Sequence, residues 1–304
     1  MLTQIGASLK EKALNKSINI KLMVIGGKFM KEDMLIQILN SNQELLRGLA
    51  QCGFFQKNFV GMLRNIESII PKDSRENFYT NLKTLRLNFN NETMMENCCF
   101  GAYSHKSNQI YMDKGVLAMV GRNISVEELD FDESMLMTMY HELLHMASDT
   151  RGDIYNEVTG FQNIKKTEEG EFLYADVLDG MSEGFTEYLT LLAFGKGNNE
   201  TFSIYGKQVN IMSRLSDIVG LDTMKKAYFN NKNGMQDIER ALQKIDGKRS
   251  HDDLYFYIES DFAYPQGHEL FDPTLSGKID EQLSELSETK IKIMQKNEEQ
   301  SMDI

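Results

Sequence analysis

Two of the five histidines in the 304-residue chain, His141 and His145, enclose a glutamate in the run H-E-L-L-H at residues 141–145. On an α-helix, residues four positions apart lie one above the other, so both imidazoles can bind the same metal ion. Zn²⁺ binds imidazole nitrogens at about 2.0–2.1 Å in such sites. Glu142 lies beside that face of the helix, where its carboxylate can take a proton from a metal-bound water. The spacing therefore predicts zinc-assisted hydrolysis.

A catalytic zinc site usually has three protein ligands and one open position. The extended pattern H-E-x-x-H-x-x-G-x-x-H would supply a third histidine, but Ser148 and Arg151 occupy its glycine and histidine positions. A carboxylate on a following helix is the other common solution. The segment M-S-E-G-F-T-E-Y at residues 181–188 offers Glu183 for that role.

The runs H-E-L-L-H and S-E-G-F-T-E-Y are similar to those of the gluzincin class of zincin metallopeptidases, whose third ligand lies in motifs of the N-E-G-F or N-E-x-x-S-D kind. The resemblance implies these site residues: His141, His145 and Glu183 as ligands of one zinc ion per chain, Glu142 as general base, and Glu187 as the carboxylate that orients the first histidine. Ser182 stands where the family has asparagine, and 38 positions separate residue 145 from residue 183. Substrate specificity therefore does not carry over from the family.

In zincins, the strand before the metal-binding helix is an exposed sheet edge, to which an extended peptide adds through main-chain hydrogen bonds. Two β-prone pieces precede the helix here, Cys99–Tyr103 and Gln109–Met112, and the polar stretch between them predicts a hairpin. By resemblance, the substrate would bind along Gln109, Ile110 and Tyr111. The first piece is the alternative edge, and a hairpin without this role is the alternative to both.

The resembling enzymes also use a tyrosine or a histidine to donate a hydrogen bond to the oxyanion that forms during attack on the carbonyl. Several side chains between and after the motifs could do so: Tyr155, Tyr174, Tyr188, Tyr264 and His268. We favour Tyr174 because it approaches the Glu183 helix along the chain.

The remaining histidines are not expected to bind metal. His268 begins a second H-E-L run, but Pro265 and Pro273 flank it, which predicts a loop. His105 and His251 lie in polar surroundings, which predict solvated side chains.

The elements that must position these residues follow from the spacing of apolar side chains. Helices are predicted over Glu32–Leu49, Phe54–Ile70 and Ser74–Phe89, and an alternating stretch predicts a short strand over Ile18–Ile25. Ser125 is predicted to begin a helix through a capping box. The H-E-x-x-H helix is predicted over residues 132–147, followed by a long excursion with little periodicity over residues 148–180.

The second half of the chain is predicted to be mostly helical. Ser182 is expected to cap a helix over Glu183–Phe194, and further helices are predicted over Tyr205–Val219, Asp222–Phe229 and Met235–Ile245. Lys278–Ile304 is predicted to be a solvated terminal helix or a frayed tail.

The predicted fold class is α+β and helix-rich. It combines a zincin-like catalytic core, a small mixed β-sheet packed on the H-E-x-x-H helix, and a mostly helical C-terminal lobe. The predicted organisation is a helical N-terminal region over residues 1–95, the metallopeptidase core over 96–275 and a charged helix or tail over 276–304.

The formal net charge of −12 repels phosphate backbones, so we exclude nucleic acid as a partner. No stretch approaches the ~20 apolar residues of a membrane span, and the N-terminus contains no classical export signal. We therefore expect a soluble, cytoplasmic protein without membrane insertion, with export by a non-classical route left open. Cys52, Cys98 and Cys99 fit neither a disulfide framework nor a metal spacing and are expected to be reduced. The sequence leaves the oligomeric state open.

These patterns together predict a zinc-dependent metallopeptidase, expected to be an endopeptidase, that acts on a peptide or protein substrate. One alternative is a catalytically degenerate zincin that serves as a binding or scaffold protein, although proton transfer is the role that explains Glu142. A second alternative is a helical interaction protein with a coincidental motif, which leaves the Glu183 segment unexplained.

Overall fold

The computed structural model describes residues 33–91, 100–113, 115, 119, 125–126, 129–153, 156–166, 172–176, 178–196, 205–230, 234–264 and 268–302. The strand predicted over Ile18–Ile25 lies outside these residues, as do Cys98 and Cys99. Cys52 is buried and forms no disulfide among the described residues.

The N-terminal part begins with four helices: α1 (Met34–Ser41), α2 (Gln43–Leu49), α3 (Gly53–Ile69) and α4 (Arg75–Thr84). The single helix predicted over residues 32–49 is broken at Asn42. This side chain accepts a hydrogen bond from the Leu45 N–H and caps α2, while its amide donates to the carbonyls of Leu82 and Leu85. A buried asparagine thus satisfies the ends of two helices at once.

The helix predicted over Ser74–Phe89 is wrong in its last five residues. It ends at Thr84, and Arg86–Asn91 form strand β1. Leu85, Leu87 and Phe89 are all buried, which is the period-two pattern of a strand. No glycine or proline separates the apolar face of α4 from this alternating stretch, so the sequence does not mark where the helix ends.

Strand β1 belongs to a small mixed sheet with β2 (Gly101–Ser104) and β3 (Gln109–Asp113), in the order β1-β3-β2. The predicted hairpin is confirmed, because β2 and β3 pair antiparallel. The prediction that Gln109, Ile110 and Tyr111 form a free sheet edge is wrong. These residues pair with β2 on one side and, in parallel register, with β1 on the other. Among the described strands of this sheet, β2 is the edge near the helix that carries the H-E-L-L-H run.

The helix that carries the H-E-L-L-H run, α5, spans Phe131–Ser148. Its N-cap is Asp130, whose carboxylate accepts from the Asp132 N–H. The capping box predicted at Ser125 is wrong, because β4 (Ser125–Val126) pairs antiparallel with β5 (Leu129–Asp130) just before the helix. Strand β2 packs on α5 so closely that a Cβ on Gly101 would lie 2.8 Å from the Thr138 side chain.

The excursion predicted over residues 148–180 is a four-stranded antiparallel meander: β6 (Thr150–Asp153), β7 (Asn156–Thr159), β8 (Gln162–Lys166) and β9 (Phe172–Asp176). Its strands pair in the order of the sequence. The β7–β8 turn has Gly160 in the left-handed region at φ 58°, where L side chains are disfavoured.

The helices that follow the meander are α6 (Asp179–Ala193), α7 (Gly206–Val219), α8 (Leu221–Asn230), α9 (Gly234–Asp246), α10 (Asp252–Ala263) and α11 (Leu275–Met302). Helix α6 begins earlier than predicted, so Ser182 lies inside it and does not cap it; its hydroxyl accepts from the Phe161 N–H instead. Helix α10 has no counterpart in the sequence-based prediction. None of the described helices is both long and apolar enough to cross a membrane.

One hydrophobic cluster extends from Leu35 on α1 to Leu286 on α11 and includes the buried face of α5. The domain boundary predicted at residue 95 falls between β1 and β2, two strands of the same sheet. The boundary predicted at residue 275 falls in the first turn of α11. The protein is thus helix-rich, with a small mixed sheet packed on α5 and a helical C-terminal part.

Candidate metal centre

Three side chains from α5 and α6 point to one place. The Nε2 atoms of His141 and His145 are 3.0 Å apart. Glu183 Oε2 lies 3.1 Å from His141 Nε2, and Glu183 Oε1 lies 3.4 Å from His145 Nε2. These three residues form a group that could hold a metal ion.

The spacing of these atoms fits a tetrahedral zinc ion. Ligands held tetrahedrally at ~2.0–2.1 Å from a metal lie about 3.3 Å from one another, since the edge of a tetrahedron is about 1.6 times its radius. The two nitrogens are 3.0 Å apart, and the two oxygens of Glu183 lie 3.1 and 3.4 Å from them, one oxygen near each nitrogen, so each distance is close to that value. Two imidazoles and one carboxylate are also a donor set that zinc accepts in catalytic sites. The residues present therefore fit a zinc ion.

The electrostatics of the cluster favour a positive charge at its centre. Burial alone would lower the pKa of His141, but hydrogen bonds to Glu183 and Glu187 raise it well above its usual value. Burial alone would raise the pKa of Glu183, but the positive charge of His145 and the hydrogen bonds from both histidines hold it well below its usual value. A proton on His141 and a metal ion can each supply that charge, so they compete for the same place.

Glu187 is brought to the other side of the first histidine. Its Oε2 lies 2.8 Å from Nδ1 of His141, one helical turn beyond Glu183 on α6. A carboxylate at this position keeps the proton of the neutral imidazole on Nδ1 and leaves the Nε2 lone pair facing the centre of the site. The sequence-based prediction placed Glu187 next to this histidine, and the geometry agrees.

Glu142 is buried, with 7% of its surface exposed, and lies between the histidines and strand β2. Burial raises the pKa of its carboxyl, whereas the charges of His141 and His145 lower it. The backbone N–H of Tyr103 in β2 hydrogen-bonds to the carboxylate, and the Glu142 side chain lies 3.3 Å from where a Cβ of Gly101 would be. Strand β2 thus fixes the position of this carboxylate.

A tyrosine that sequence reasoning missed also lies at the site. The ring of Tyr205, at the start of α7, stacks on the imidazole of His141 with centroids 5.8 Å apart and 20° between the planes. Phe262 of α10 lies against the same tyrosine ring. Sixty-odd positions separate Tyr205 from His141, and no motif in the sequence links them.

Glu259, a second residue that sequence reasoning missed, lies at the start of α6. The carboxylate of Glu259 on α10 accepts hydrogen bonds from the N–H groups of Gly180 at 2.8 Å and Met181 at 3.0 Å. It thereby caps the exposed donors at the start of the helix that carries Glu183. Burial raises its pKa to about 7, against the effect of the two N–H groups.

The residues considered for the oxyanion are placed as follows. Tyr155 lies outside the described residues, and the backbone of Tyr174 pairs with Lys165 in the meander. Tyr188 is buried with its ring against Phe185. His268 is exposed, accepts from the Leu270 N–H and has its ring against Tyr264. The ring contacts described for Tyr188, Tyr264 and His268 are thus made with Phe185 or with one another.

His251 was expected to be solvated, and this expectation is wrong. The residue is 4% exposed, and its two ring nitrogens face Glu239 Oε1 at 3.0 Å and Asp246 Oδ2 at 3.1 Å. The two carboxylates and the histidine join α9 to the start of α10.

Comparisons of the chain with protein-family models, with curated proteins and with solved structures found no match.

Proposed function

We propose that this protein is a zinc-dependent metallopeptidase of the gluzincin type, acting as an endopeptidase. The observation that carries the proposal is the convergence of His141, His145 and Glu183 on one point, with Glu142 beside it. A site built only to bind metal has no need of a further carboxylate there, whereas hydrolysis needs a general base.

His141, His145 and Glu183 would hold the zinc ion. Zinc bound there would polarise a peptide carbonyl and lower the pKa of a water toward ~7. The Glu142 carboxylate would accept the proton of that water and later transfer it to the leaving amine. Glu187 would keep the His141 ring in the required tautomer and orientation throughout.

The substrate would bind along β2. This strand is the edge of its sheet among the described strands, and its residue Tyr103 donates the N–H that fixes Glu142. A peptide that adds to this edge in extended form would pass the general base and continue on both sides of it. Binding of this kind suits cleavage within a chain and supports an endopeptidase.

The test compares the wild type with Glu142→Gln for bound zinc and for cleavage of a mixed peptide library. We expect one zinc ion per chain in both proteins and a loss of cleavage of at least about 10²-fold in the variant, since general-base catalysis contributes that much. Glu133→Gln is the control, because Glu133 lies on the same helix but pairs with Lys196 at the surface.

The other two outcomes would favour the alternative functions. Zinc binding without cleavage by the wild type would favour the degenerate zincin that serves as a binding protein. A wild type without zinc would overturn the proposal and favour a helical interaction protein with a coincidental motif.

A further inference from the structure

Three buried hydroxyls meet beneath the metal-binding group. Ser148 lies on α5 three residues after His145, Thr186 lies on α6 three residues after Glu183, and Tyr228 comes from α8. The Tyr228 hydroxyl lies 2.6 Å from Thr186 Oγ1 and also hydrogen-bonds to the side chain of Ser148. One hydroxyl thus joins the helix of the two histidines to the helix of the glutamate.

Each of the three hydroxyls has one proton to donate and can also accept a hydrogen bond. Ser148 Oγ lies 2.9 Å from the His145 carbonyl oxygen, and Thr186 Oγ1 lies 2.7 Å from the Ser182 carbonyl oxygen, so each also contacts the backbone of its own helix about one turn earlier. Either oxygen can be the donor in the bond between Tyr228 and Thr186. Removal of the Tyr228 hydroxyl would take away the group through which the two side chains are joined.

The β7–β8 turn closes the same arrangement from the other side. The N–H of Gly160 donates to Ser148 Oγ at 3.0 Å, and the N–H of Phe161 donates to Ser182 Oγ at 3.1 Å. A Cβ on Gly160 would lie 2.9 Å from the Tyr228 ring, so the turn lies directly against the tyrosine. The turn and Tyr228 together bond to both ligand-bearing helices.

The separation of α5 and α6 decides whether the three ligand atoms can meet around one ion. A metal ion tolerates little change in its ligand distances, and groups behind the ligands commonly alter metal affinity by 10- to 100-fold when mutated. Ser148 and Thr186 each lie one turn from a ligand. A hydroxyl that bonds to both therefore acts on the distance between His145 and Glu183.

We propose that Tyr228 is a positioning residue for the metal site: its hydroxyl sets the separation of α5 and α6 and thereby the metal affinity, although it supplies no ligand. The inference rests on the metal site of the proposed function. It concerns how this chain joins the helix of His145 to the helix of Glu183, two residues that are 38 positions apart in the sequence.

The test is Tyr228→Phe, which removes the hydroxyl and keeps the ring that packs against Phe161 and Phe185. Tyr140→Phe is the matched control. Tyr140 is buried on α5 next to His141, but its hydroxyl has no hydrogen-bond partner among the described residues. Zinc affinity is measured by competition with a chromophoric chelator, and the absorption spectrum of the Co²⁺-substituted protein reports the ligand geometry.

We expect Tyr228→Phe to bind zinc about tenfold more weakly than the wild type and to change the Co²⁺ spectrum. Tyr140→Phe should match the wild type in both measurements. Thr186→Val removes the hydroxyl that shares this hydrogen bond with Tyr228 and should weaken zinc binding similarly, and the double variant should lose less than the sum of the two effects. Thr186→Val also tests the inference if Tyr228→Phe fails to fold.

Equal zinc affinity and an unchanged Co²⁺ spectrum in Tyr228→Phe would overturn this inference and leave the proposed function standing. The same loss in Tyr140→Phe would also overturn it, because the effect would then be one of general destabilisation. A wild type that binds no zinc would overturn the proposed function and this inference together.

Discussion

The imidazole Nδ1 of His141 lies 2.8 Å from Oε2 of Glu187, and the other ring nitrogen of the same histidine faces Glu183. One histidine on α5 is therefore held between two carboxylates that are one turn apart on α6. This relationship makes the orientation of the first proposed ligand depend on the second helix, and it gives the first prediction.

Glu187→Ala should weaken zinc binding by about 10- to 100-fold, because the histidine loses the group that fixes its tautomer and ring angle. Glu187→Gln should lose less, since the amide oxygen can still accept the Nδ1–H. Titration of each variant with zinc against a competing chelator measures the difference. Wild-type affinity in Glu187→Ala would show that the hydrogen bond does not orient the ligand.

Tyr205→Ala should reduce zinc affinity about two- to tenfold, because stacked aromatic pairs contribute about 0.5–1.5 kcal/mol beyond their burial. Tyr205→Phe keeps the ring that stacks on His141 and should bind zinc like the wild type. If both variants lose the same affinity, the hydroxyl and not the ring is responsible.

Gly101→Ala should reduce peptide cleavage while zinc content stays complete. The new methyl group would lie 2.8 Å from the Thr138 side chain, 3.0 Å from Met112 Sδ and 3.3 Å from Glu142 Cγ. Strand β2 must then move away from α5, which displaces Glu142, the proposed general base, and costs about 1–3 kcal/mol of stability.

Gly61→Ala is the control for this substitution. Gly61 lies in α3 with open space around it, so alanine there should stabilise the protein by about 0.5–1 kcal/mol and leave cleavage unchanged. Thermal unfolding measures the stability of both variants, and cleavage rates measure their activity. Full activity in Gly101→Ala would mean that β2 does not position Glu142.

Glu259 should make stability depend on pH. Its pKa is about 7 in the folded protein against a usual value of 4.5, so the folded state binds more protons than the unfolded chain between these values. The free energy of unfolding therefore falls as pH rises from 4.5 to 7, by up to about 3 kcal/mol from this group. Glu259→Gln cannot titrate and should lose that part of the slope.

The measurement is denaturant unfolding of wild type and Glu259→Gln from pH 5 to 8 in the presence of a chelator, which keeps metal binding out of the comparison. Glu281→Gln, on an exposed face of α11, should keep the wild-type slope. Parallel curves for wild type and Glu259→Gln would contradict the prediction.

The residues of the candidate metal site could be predicted because their spacing along the sequence places them together on each helix. His141 and His145 need only a helix to share a face, and Glu183 and Glu187 likewise lie one turn apart on one helix. Tyr205, Tyr228 and Glu259 could not be predicted, because each reaches its partner from a distant helix and depends on tertiary packing.

The errors in the fold have similar causes. The resemblance to zincins predicts a free edge along Gln109–Tyr111, but β1 pairs with this strand, and the sequence of β1 continues a predicted helix. A strand with neighbours on both sides has no free edge. The meander strands are only four or five residues long, which is too short for a clear period. Helix boundaries inside the core, as at Asn42, were set by side-chain hydrogen bonds that span forty positions.

The even number of strands in the β6–β9 meander has a consequence for chain entropy. Four antiparallel strands return the chain to the end of the sheet at which it entered, displaced by three strand spacings or about 14 Å. Each hairpin of the meander forms between strands that are neighbours in the sequence. The strands between α5 and α6 are therefore already ordered, and little loop-closure entropy remains to be lost when these two helices come together.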